Sequence, residues 1–412
     1  MIEEEIQSRG YFHQCTNKEE LFALLEKGKV VFYVGFDCTA RSLHIGNLLT
    51  IMLVRLLQKY GNKPIILLGG GTSKIGDPSG KTKARELISN EDIKNNTSGI
   101  LKSLSKFIRF GNNSTDALLV NNLDWLDQLK HLEFLRDYAR HFSISQILSL
   151  DFIKSRLQEK KHLSLLEFSY VMLQSFDFLH LYRLHNCILQ IGGSDQWGNI
   201  TSGIDLIHKA QQGKAYGFTV PLLTTASGAK MGKSEFGATW LNEEMTTPYE
   251  YFQYWRNIND KDVKKFAALY CEFSPQENKE FDHVFSENIN LAKEKLAFNL
   301  TLLCHGEKEA NLAKNSAKAA FEDQSELSGL PTINLNSKTL KEGVYLSEIL
   351  TCSKIVESKS KSKRLILDGG VKIANKLALD LQTKVFLTDF DDKGTLKITV
   401  GKKRHFLLKS TS

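Results

Sequence analysis

Proline is scarce in this chain, with six among 412 residues. That argues against a long disordered tail. Cysteine is as sparse: Cys15, Cys38, Cys187, Cys271, Cys304 and Cys352 are scattered, with no CxxC pair. Such spacing suggests neither a zinc site nor a disulfide framework, and a reducing cytoplasm is the simplest setting. No window offers the roughly 20 unbroken apolar residues of a membrane span. The opening MIEEEIQSRG is acidic and polar, without the basic start and apolar core of a secretory signal. What is present is an ordinary globular composition, 42% hydrophobic and 25% charged, long enough for two or three domains.

Charge is unevenly spread. The net charge is +7, and residues 341–412 hold 15 Lys and Arg against 8 Asp and Glu, a balance of +7. The whole excess therefore sits in the last segment. Charge alone suits a solvated surface as well as a polyanionic partner.

The first half alternates between strand-like and helix-like runs. KVVFYVGF (29–36), PIILLGG (64–70), ALLVNN (117–122) and CILQIGGSD (187–195) read as strands. His44 to Tyr60 reads as a helix, with Ile45, Leu48, Leu49, Met52, Leu53 and Leu56 at helical spacing. This pattern predicts an α/β fold with a doubly wound, Rossmann-like parallel sheet, which binds ligands at the C-terminal ends of its strands. The α/β region is expected over 1–240, with a helical insertion at about 90–160. Residues 243–322 read as a separate all-α domain, 323–340 as a linker without periodicity, and 341–412 as a small basic α+β domain.

Three glycine-bearing loops fall at predicted strand ends: FDCTARSLHIGN, GGGTSKIGDPSGK and GGSDQWGN. GDPSGKT is not a P-loop, because Ile75 stands where that motif needs glycine. His44 and Gly46 open a helix although both lower helix propensity. An anion at a helix N-terminus would explain them, as free N–H groups and the dipole favour negative charge there. A lone histidine at that position is more often a cap or surface residue. Downstream, ASGAKMGKSEFG (226–237) carries Lys230 and Lys233 in a glycine loop. A lone KxxK usually marks a solvated turn, but two such cations also suit a leaving pyrophosphate. Tyr170, Gln174 and Asp177, spaced i, i+4, i+7, share one face of an apolar helix. That stripe fits either a hydrogen-bonded core network or a pocket wall.

HIGN after the first strand and KMGKS after the last together resemble the two signatures of class I aminoacyl-tRNA synthetases, usually written HIGH and KMSKS. Asn47 and Gly232 are the departures. YVGFDCTARSLHIGN, GDPSGK, YVMLQSFD, QIGGSDQWGN and KMGKS are similar, in order, to motifs of the bacterial-type tyrosyl-tRNA synthetase family. The resemblance implies ATP, with Mg²⁺, as a substrate, tyrosine and its tRNA as the others, a homodimer built through the helical insertion, and a cytoplasmic, non-membrane setting. Asp177 and Tyr33 would read the substrate phenol, Gln190 would complete the pocket floor, and Tyr170, Gln174 and Asp77 would hold the ammonium group. Gln196 would meet the amino acid carboxylate. Gly35, Asp37, Thr39, His44, Gly46, Asn47, Thr50, Gly192 and Asp195 would surround ATP, with Gly46 leaving room for adenine. Lys81, Arg85, Lys230 and Lys233 would grip pyrophosphate. No general base is required, since the attacking group is already a carboxylate.

SKSKSKRLILDGGVKIANKL (358–377) resembles an S4 RNA-binding domain, with Lys359, Lys361, Lys363, Arg364 and Lys372 facing RNA phosphates. Three other readings are weaker. A tryptophan enzyme of the same class does not suit Asp177 with Tyr33. A retired RNA-binding scaffold does not suit intact His44, Lys230, Lys233, Asp77 and Asp195. A small-metabolite nucleotidyltransferase fits HIGN but leaves the helical region and basic tail unexplained.

Overall fold

The alternation of strands and helices builds a six-stranded sheet. The computed structural model describes residues 1–77, 88–226, 231, 233–234, 237–322, 330–353, 355–401 and 404–411, with the backbone alone at 233, 234 and 320–322. The strands are β1 (Gln14–Cys15), β2 (Val31–Asp37), β3 (Lys63–Gly69), β4 (Leu118–Asn121), β5 (Leu189–Gly193) and β6 (Tyr216–Val220). Their order is β1-β6-β5-β2-β3-β4, parallel throughout except for β1 against β6. The chain grows from β2 toward β4 on one side and then returns to place β5 on the other. The topological switch therefore lies between β2 and β5, where Tyr33 is in register with Gln190. The edge strand β1 and its neighbour β6 were not expected from the sequence. β1 is only two residues long, too short for a periodic signal.

The near-continuous apolar strands match a sheet covered on both faces. Helix α1 (Leu48–Lys59) has nine of its twelve residues buried. It starts later than expected. A tight turn at Ile45–Asn47 precedes it, because the side chains of His44 and Asn47 take up the first free N–H groups. Then follow α2 (Asn90–Ser105), α3 (Leu123–Leu126), α4 (Leu165–His185) and α5 (Trp197–Gln211). Ser164 starts α4 with a capping box: its Oγ accepts from the Glu167 N–H at 3.2 Å, and Glu167 accepts from the Ser164 N–H at 3.1 Å. A cap of this kind contributes about 1 kcal/mol. Glu167 also pairs with Arg156 at 2.8 Å, both buried. Beyond the sheet, Lys233–Ser234 (β7) and Gly237–Ala238 (β8) form a small antiparallel pair.

The chain divides into two compact units, Met1–Thr246 with Asn257–Leu296, and Thr247–Arg256 with Ala297–Ser412. The stretch expected to be helical carries helices at Pro248–Arg256, Val263–Tyr270, Pro275–Glu287, Ile289–His305 and Glu307–Glu322. Part of the expected linker is a strand. Thr332–Asn336 (β9) alternates between half-buried and exposed positions and pairs in parallel with the last strand. Its TINLN pattern has period two, masked in sequence by short polar side chains.

The second unit also holds β10 (Val344–Tyr345), α6 (Leu346–Cys352), α7 (Lys359–Leu367), β11 (Val371–Ile373), β12 (Lys376–Leu377), β13 (Lys384–Val385), β14 (Thr395–Val400) and β15 (Arg404–Thr411). The expected helix–helix–strand order holds over α6, α7 and β11. β14 and β15 complete a sheet of order β12-β11-β14-β15-β9 over a core that includes Leu346, Leu350, Ile366, Val371, Ile398 and Leu408. No helix among the described residues is long and apolar enough to cross a membrane.

Candidate active site

The C-terminal ends of β2 and β5 open onto α4, and the polar stripe of that helix reaches three different loops. Tyr170 donates its hydroxyl to Asp37 at the end of β2, 3.2 Å from each carboxylate oxygen. Gln174 Nε2 donates to Gln196 Oε1 at 3.3 Å, and Gln196 Nε2 donates to Asp77 at 2.7 Å. Asp177 accepts from Asn122 Nδ2 at 2.9 Å and from Trp125 Nε1 at 2.7 Å. The stripe is thus a hydrogen-bonded network that also lines the strand ends.

Asp177 is the most perturbed carboxylate here. Burial pushes it up to about 7, against the pull of the Asn122 and Trp125 hydrogen bonds. Tyr33 is raised well above the usual phenol range by burial and by the nearby Asp177 charge, so it remains a proton donor. Its hydroxyl and Gln190 Oε1 are buried and have no hydrogen-bond partner among the described residues. Leaving such groups unmatched costs about 1–3 kcal/mol each. Tyr33 and Gln190 are register partners on adjacent parallel strands and face the same side, the side of α4. One step nearer the strand ends, Gly35 and Gly192 carry no side chain; a Cβ at Gly192 would lie 3.0 Å from Gln196 Cβ, and one at Gly35 3.6 Å from the Leu67 side chain.

Sequence reasoning missed the support for Asp177. Asn122 is fully buried and donates both to Asp177 and to Thr72 Oγ1, at 3.1 Å. Thr72 in turn donates to Asp37 at 3.0 Å. A continuous chain of hydrogen bonds therefore runs Asp177–Asn122–Thr72–Asp37–Tyr170. The Trp125 ring stacks on His180, with centroids 4.3 Å apart and planes at 22°. Asn199 was also missed; it donates to Gln174 at 3.0 Å and to Gln196 at 3.1 Å. Asn122 ended a predicted strand and gave no other signal. Gly69 is needed for this packing, since a Cβ there would lie 2.5 Å from Asp37 Oδ1.

The other end of the site is more open. His44 caps its turn: Nδ1 accepts from the Gly46 N–H at 3.0 Å, and Asn47 accepts from the His44 N–H at 3.2 Å. A neutral ring accepting at Nδ1 carries its proton on Nε2, a donor suited to a phosphate oxygen. The neighbours of Gly46 are protein atoms. A Cβ there would meet His44 Cε1 at 2.7 Å and the Met231 carbonyl oxygen at 2.9 Å. Thr50 is half-buried one turn into α1, while Thr39 and Asp195 are exposed. Lys81, Arg85 and Lys230 lie outside the described residues, as does the Lys233 side chain. No three His, Cys, Asp or Glu side chains gather as a metal-binding group among the described residues.

In the second unit, Lys359, Lys361, Lys363, Arg364 and Lys372 are all exposed on α7 and β11. Three of them pair with acids: Lys361 with Glu357, Arg364 with Asp368 at 3.7 Å and Lys359 with Glu348 at 3.9 Å.

Comparison with known proteins gives one consistent picture. Residues 25–322 match the family model of tRNA synthetases class I (W and Y). The tyrosine–tRNA ligase of Rickettsia bellii is 49% identical over 406 residues, covering 98% of this chain and 99% of that protein. The tyrosine–tRNA ligase of Rickettsia typhi is 50% identical over the same length and shares. Among solved structures, a C-terminally truncated mitochondrial tyrosyl-tRNA synthetase of Aspergillus nidulans superposes with a TM-score of 0.70 at 27% identity, over 78% of this chain and 94% of that one.

Proposed function

The chain belongs to the class I tRNA synthetases (W and Y), and on that premise we propose that it is a tyrosine–tRNA ligase. Tyrosine and ATP give tyrosyl-adenylate and pyrophosphate, and the tyrosyl group then passes to the 3′ end of the tRNA. The observation that carries the tyrosine assignment is the buried pair at the switch point. Tyr33 offers an unmatched hydroxyl and Asp177 a carboxylate held by two donors. A phenol between them both donates and accepts, whereas phenylalanine leaves buried polar groups unpaired. Tyrosine enzymes of this family are the standard example of such discrimination, about 10⁵ over phenylalanine, a figure that belongs to those enzymes.

Tyr170, Gln174 and Asp77 take the ammonium group, Gln196 the carboxylate, and Gln190 the pocket floor. Asp37 is close enough to Tyr170 to share the ammonium end as well as the ATP side. Gly35, Thr39, Asn47, Thr50, Gly192 and Asp195 surround ATP. The tyrosine carboxylate attacks the α-phosphorus directly, and the His44 Nε2 proton stabilises charge on its oxygens. Lys81, Arg85, Lys230 and Lys233 hold the departing pyrophosphate. Mg²⁺ would accompany ATP as part of that substrate and would supply neutralisation of phosphate charge.

The working enzyme is a cytoplasmic homodimer. Leu132, Ile144, Leu157 and Leu165 are exposed in and beside the helical insertion, an apolar surface that suits a second copy. Residues 341–412 act as an S4-like region whose α7 and β11 meet tRNA phosphates, a reading supported by their exposed basic side chains, and the three-part order of catalytic, helical and S4-like regions serves this division of work.

Amino acid-dependent ATP–pyrophosphate exchange without tRNA tests the reading. Exchange with tyrosine, and not with phenylalanine or tryptophan, is expected. Exchange with tryptophan moves the chain to the sister activity, and none from folded protein with Mg²⁺ contradicts a synthetase.

A further inference from the structure

Three segments that flank the proposed phosphate end meet in a buried knot away from any proposed substrate contact. The first is residues 41–43, which lead into His44. The second is α2, which follows the segment carrying Lys81 and Arg85. The third is residues 239–246, which follow the segment carrying Lys230 and Lys233. Ser42, Ser103 and Asn242, one from each, are buried at 3%, 0% and 2% exposure.

Asn242 joins all three. Its Nδ2 donates to the Gly99 carbonyl at 2.8 Å and to the Arg41 carbonyl at 3.2 Å. Its backbone N–H donates to Ser42 Oγ at 3.1 Å. The Ser103 hydroxyl lies 3.0 Å from Asn242 Oδ1 and 3.1 Å from the Gly99 carbonyl, and it accepts from the Leu43 N–H at 3.1 Å. A backbone stitch continues outward from the knot. Leu241 N–H donates to the Leu43 carbonyl at 2.8 Å, Ile45 N–H donates to the Thr239 carbonyl at 3.0 Å, and His44 bridges Trp240 between them. The His44 and Trp240 rings lie 5.9 Å apart. The approach of α2 is close enough to require glycine, since a Cβ at Gly99 would lie 2.0 Å from the Arg41 carbonyl oxygen.

Surface ion pairs sit outside this knot. Lys102 binds Glu243 at 2.7 Å and also Glu244, and Lys106 binds Glu243 at 3.0 Å. Lys102, Glu243 and Glu244 are exposed and screened, whereas Lys106 is only 15% exposed and also donates to the Leu241 carbonyl at 2.5 Å. The buried amide is different: its two donations go to backbone carbonyls of the other two segments and its oxygen accepts from the Ser103 hydroxyl, which fixes their relative position.

Resting on the ligase reading, we propose that Asn242 is a positioning residue for tyrosine activation, setting the His44 segment and the KMGKS side in one register through Arg41, Ser42, Gly99 and Ser103. It touches no substrate. Its effect is on the geometry of the transition state, where a displacement of about 1 Å costs about a hundredfold. The tyrosine pocket, built from β2, β5 and α4, is left as it was.

The test is steady-state ATP–pyrophosphate exchange with the full chain, comparing Asn242→Ala, Asn242→Asp, Gly99→Ala and Lys102→Met. Asn242→Asp keeps the size and the acceptor but loses both side-chain donations. Gly99→Ala introduces a better helix former, so a loss there reports the push on Arg41 rather than a weakened helix. The expected result is kcat lowered about tenfold to a hundredfold in both Asn242 variants and Gly99→Ala. The KM for tyrosine should stay within about twofold, and Lys102→Met should match wild type. Thermal melts identify a variant that fails to fold, in which case the remaining two carry the test. Unchanged kcat, or a parallel rise in tyrosine KM, overturns the inference while wild-type exchange keeps the ligase reading. Absence of wild-type exchange removes both.

Discussion

The two ends of the site are built differently. The end at Tyr33, Asp177 and Gln190 is buried, made of side chains on strands and a capped helix, and closed by a hydrogen-bonded chain reaching Asp37. The end at Thr39, His44 and Asp195 is made of turns and exposed or half-buried groups. Selection among similar amino acids needs polar groups that lose heavily when unmatched, and burial supplies that. Stabilising charge on phosphates needs donors at the mouth of the site, where a large polyanion enters and leaves. Specificity and chemistry should therefore be separable by mutation.

The largest separation is expected from Asp177→Ala. It should lower kcat/KM for tyrosine about 10³-fold or more, leaving the KM for ATP within about twofold. Equal losses in both would break the comparison. Next, His44→Ala should lower kcat of exchange about 10²-fold with tyrosine binding unchanged, as judged by equilibrium titration. A weakened tyrosine affinity would join the two ends into one.

Much of this contrast was legible in the sequence. The i, i+4, i+7 stripe of Tyr170, Gln174 and Asp177 survives as one helix face because that spacing alone brings the three onto one side, although α4 is buried on more than one side. HIGN and KMGKS were recognisable as a pair, and His44 does sit at a turn before a helix. Asn122, Trp125 and Asn199 were not legible. Their contribution depends on β4 and α5 approaching α4 in space, and nothing local marks an asparagine that will donate to a buried aspartate. The strand Thr332–Asn336 was hidden for a similar reason: its partner is the last strand of the chain, about 75 residues away by the Leu407 to Thr332 register.

Two smaller effects sharpen the contrast. Reversing charge on α7 with Lys361→Glu, Lys363→Glu and Arg364→Glu should reduce tRNA charging about tenfold and flatten its salt dependence, with exchange unaffected. Loss of exchange would make the helix structural. Trp125→Phe keeps the ring on His180 but removes the donor to Asp177. It should raise tyrosine KM about tenfold, a charge-assisted bond's worth, and an unchanged KM would leave Asn122 as the sufficient support.

The smallest effect is in stability. Asp177 titrates near 7 in the folded protein against an ordinary value of 3.8. Between those pH values the unfolded chain has released the proton and the folded chain keeps it, so stability of the ligand-free protein falls as pH rises through this window. Asp177→Asn should remove that component. Melting curves from pH 4 to 8 should show the variant gaining on wild type up to about pH 7 and no further. Parallel curves would mean that the carboxylate is ionised throughout.

The most direct test of separate ends is the ratio of kcat/KM for tyrosine over phenylalanine in ATP–pyrophosphate exchange, measured for wild type, Asp177→Ala and His44→Ala. With separate ends, the ratio collapses in Asp177→Ala and stays at the wild-type value in His44→Ala, even though both enzymes are slow. A ratio that falls alike in both would contradict that separation, because discrimination would then depend on the phosphate end as much as on the buried phenol pair.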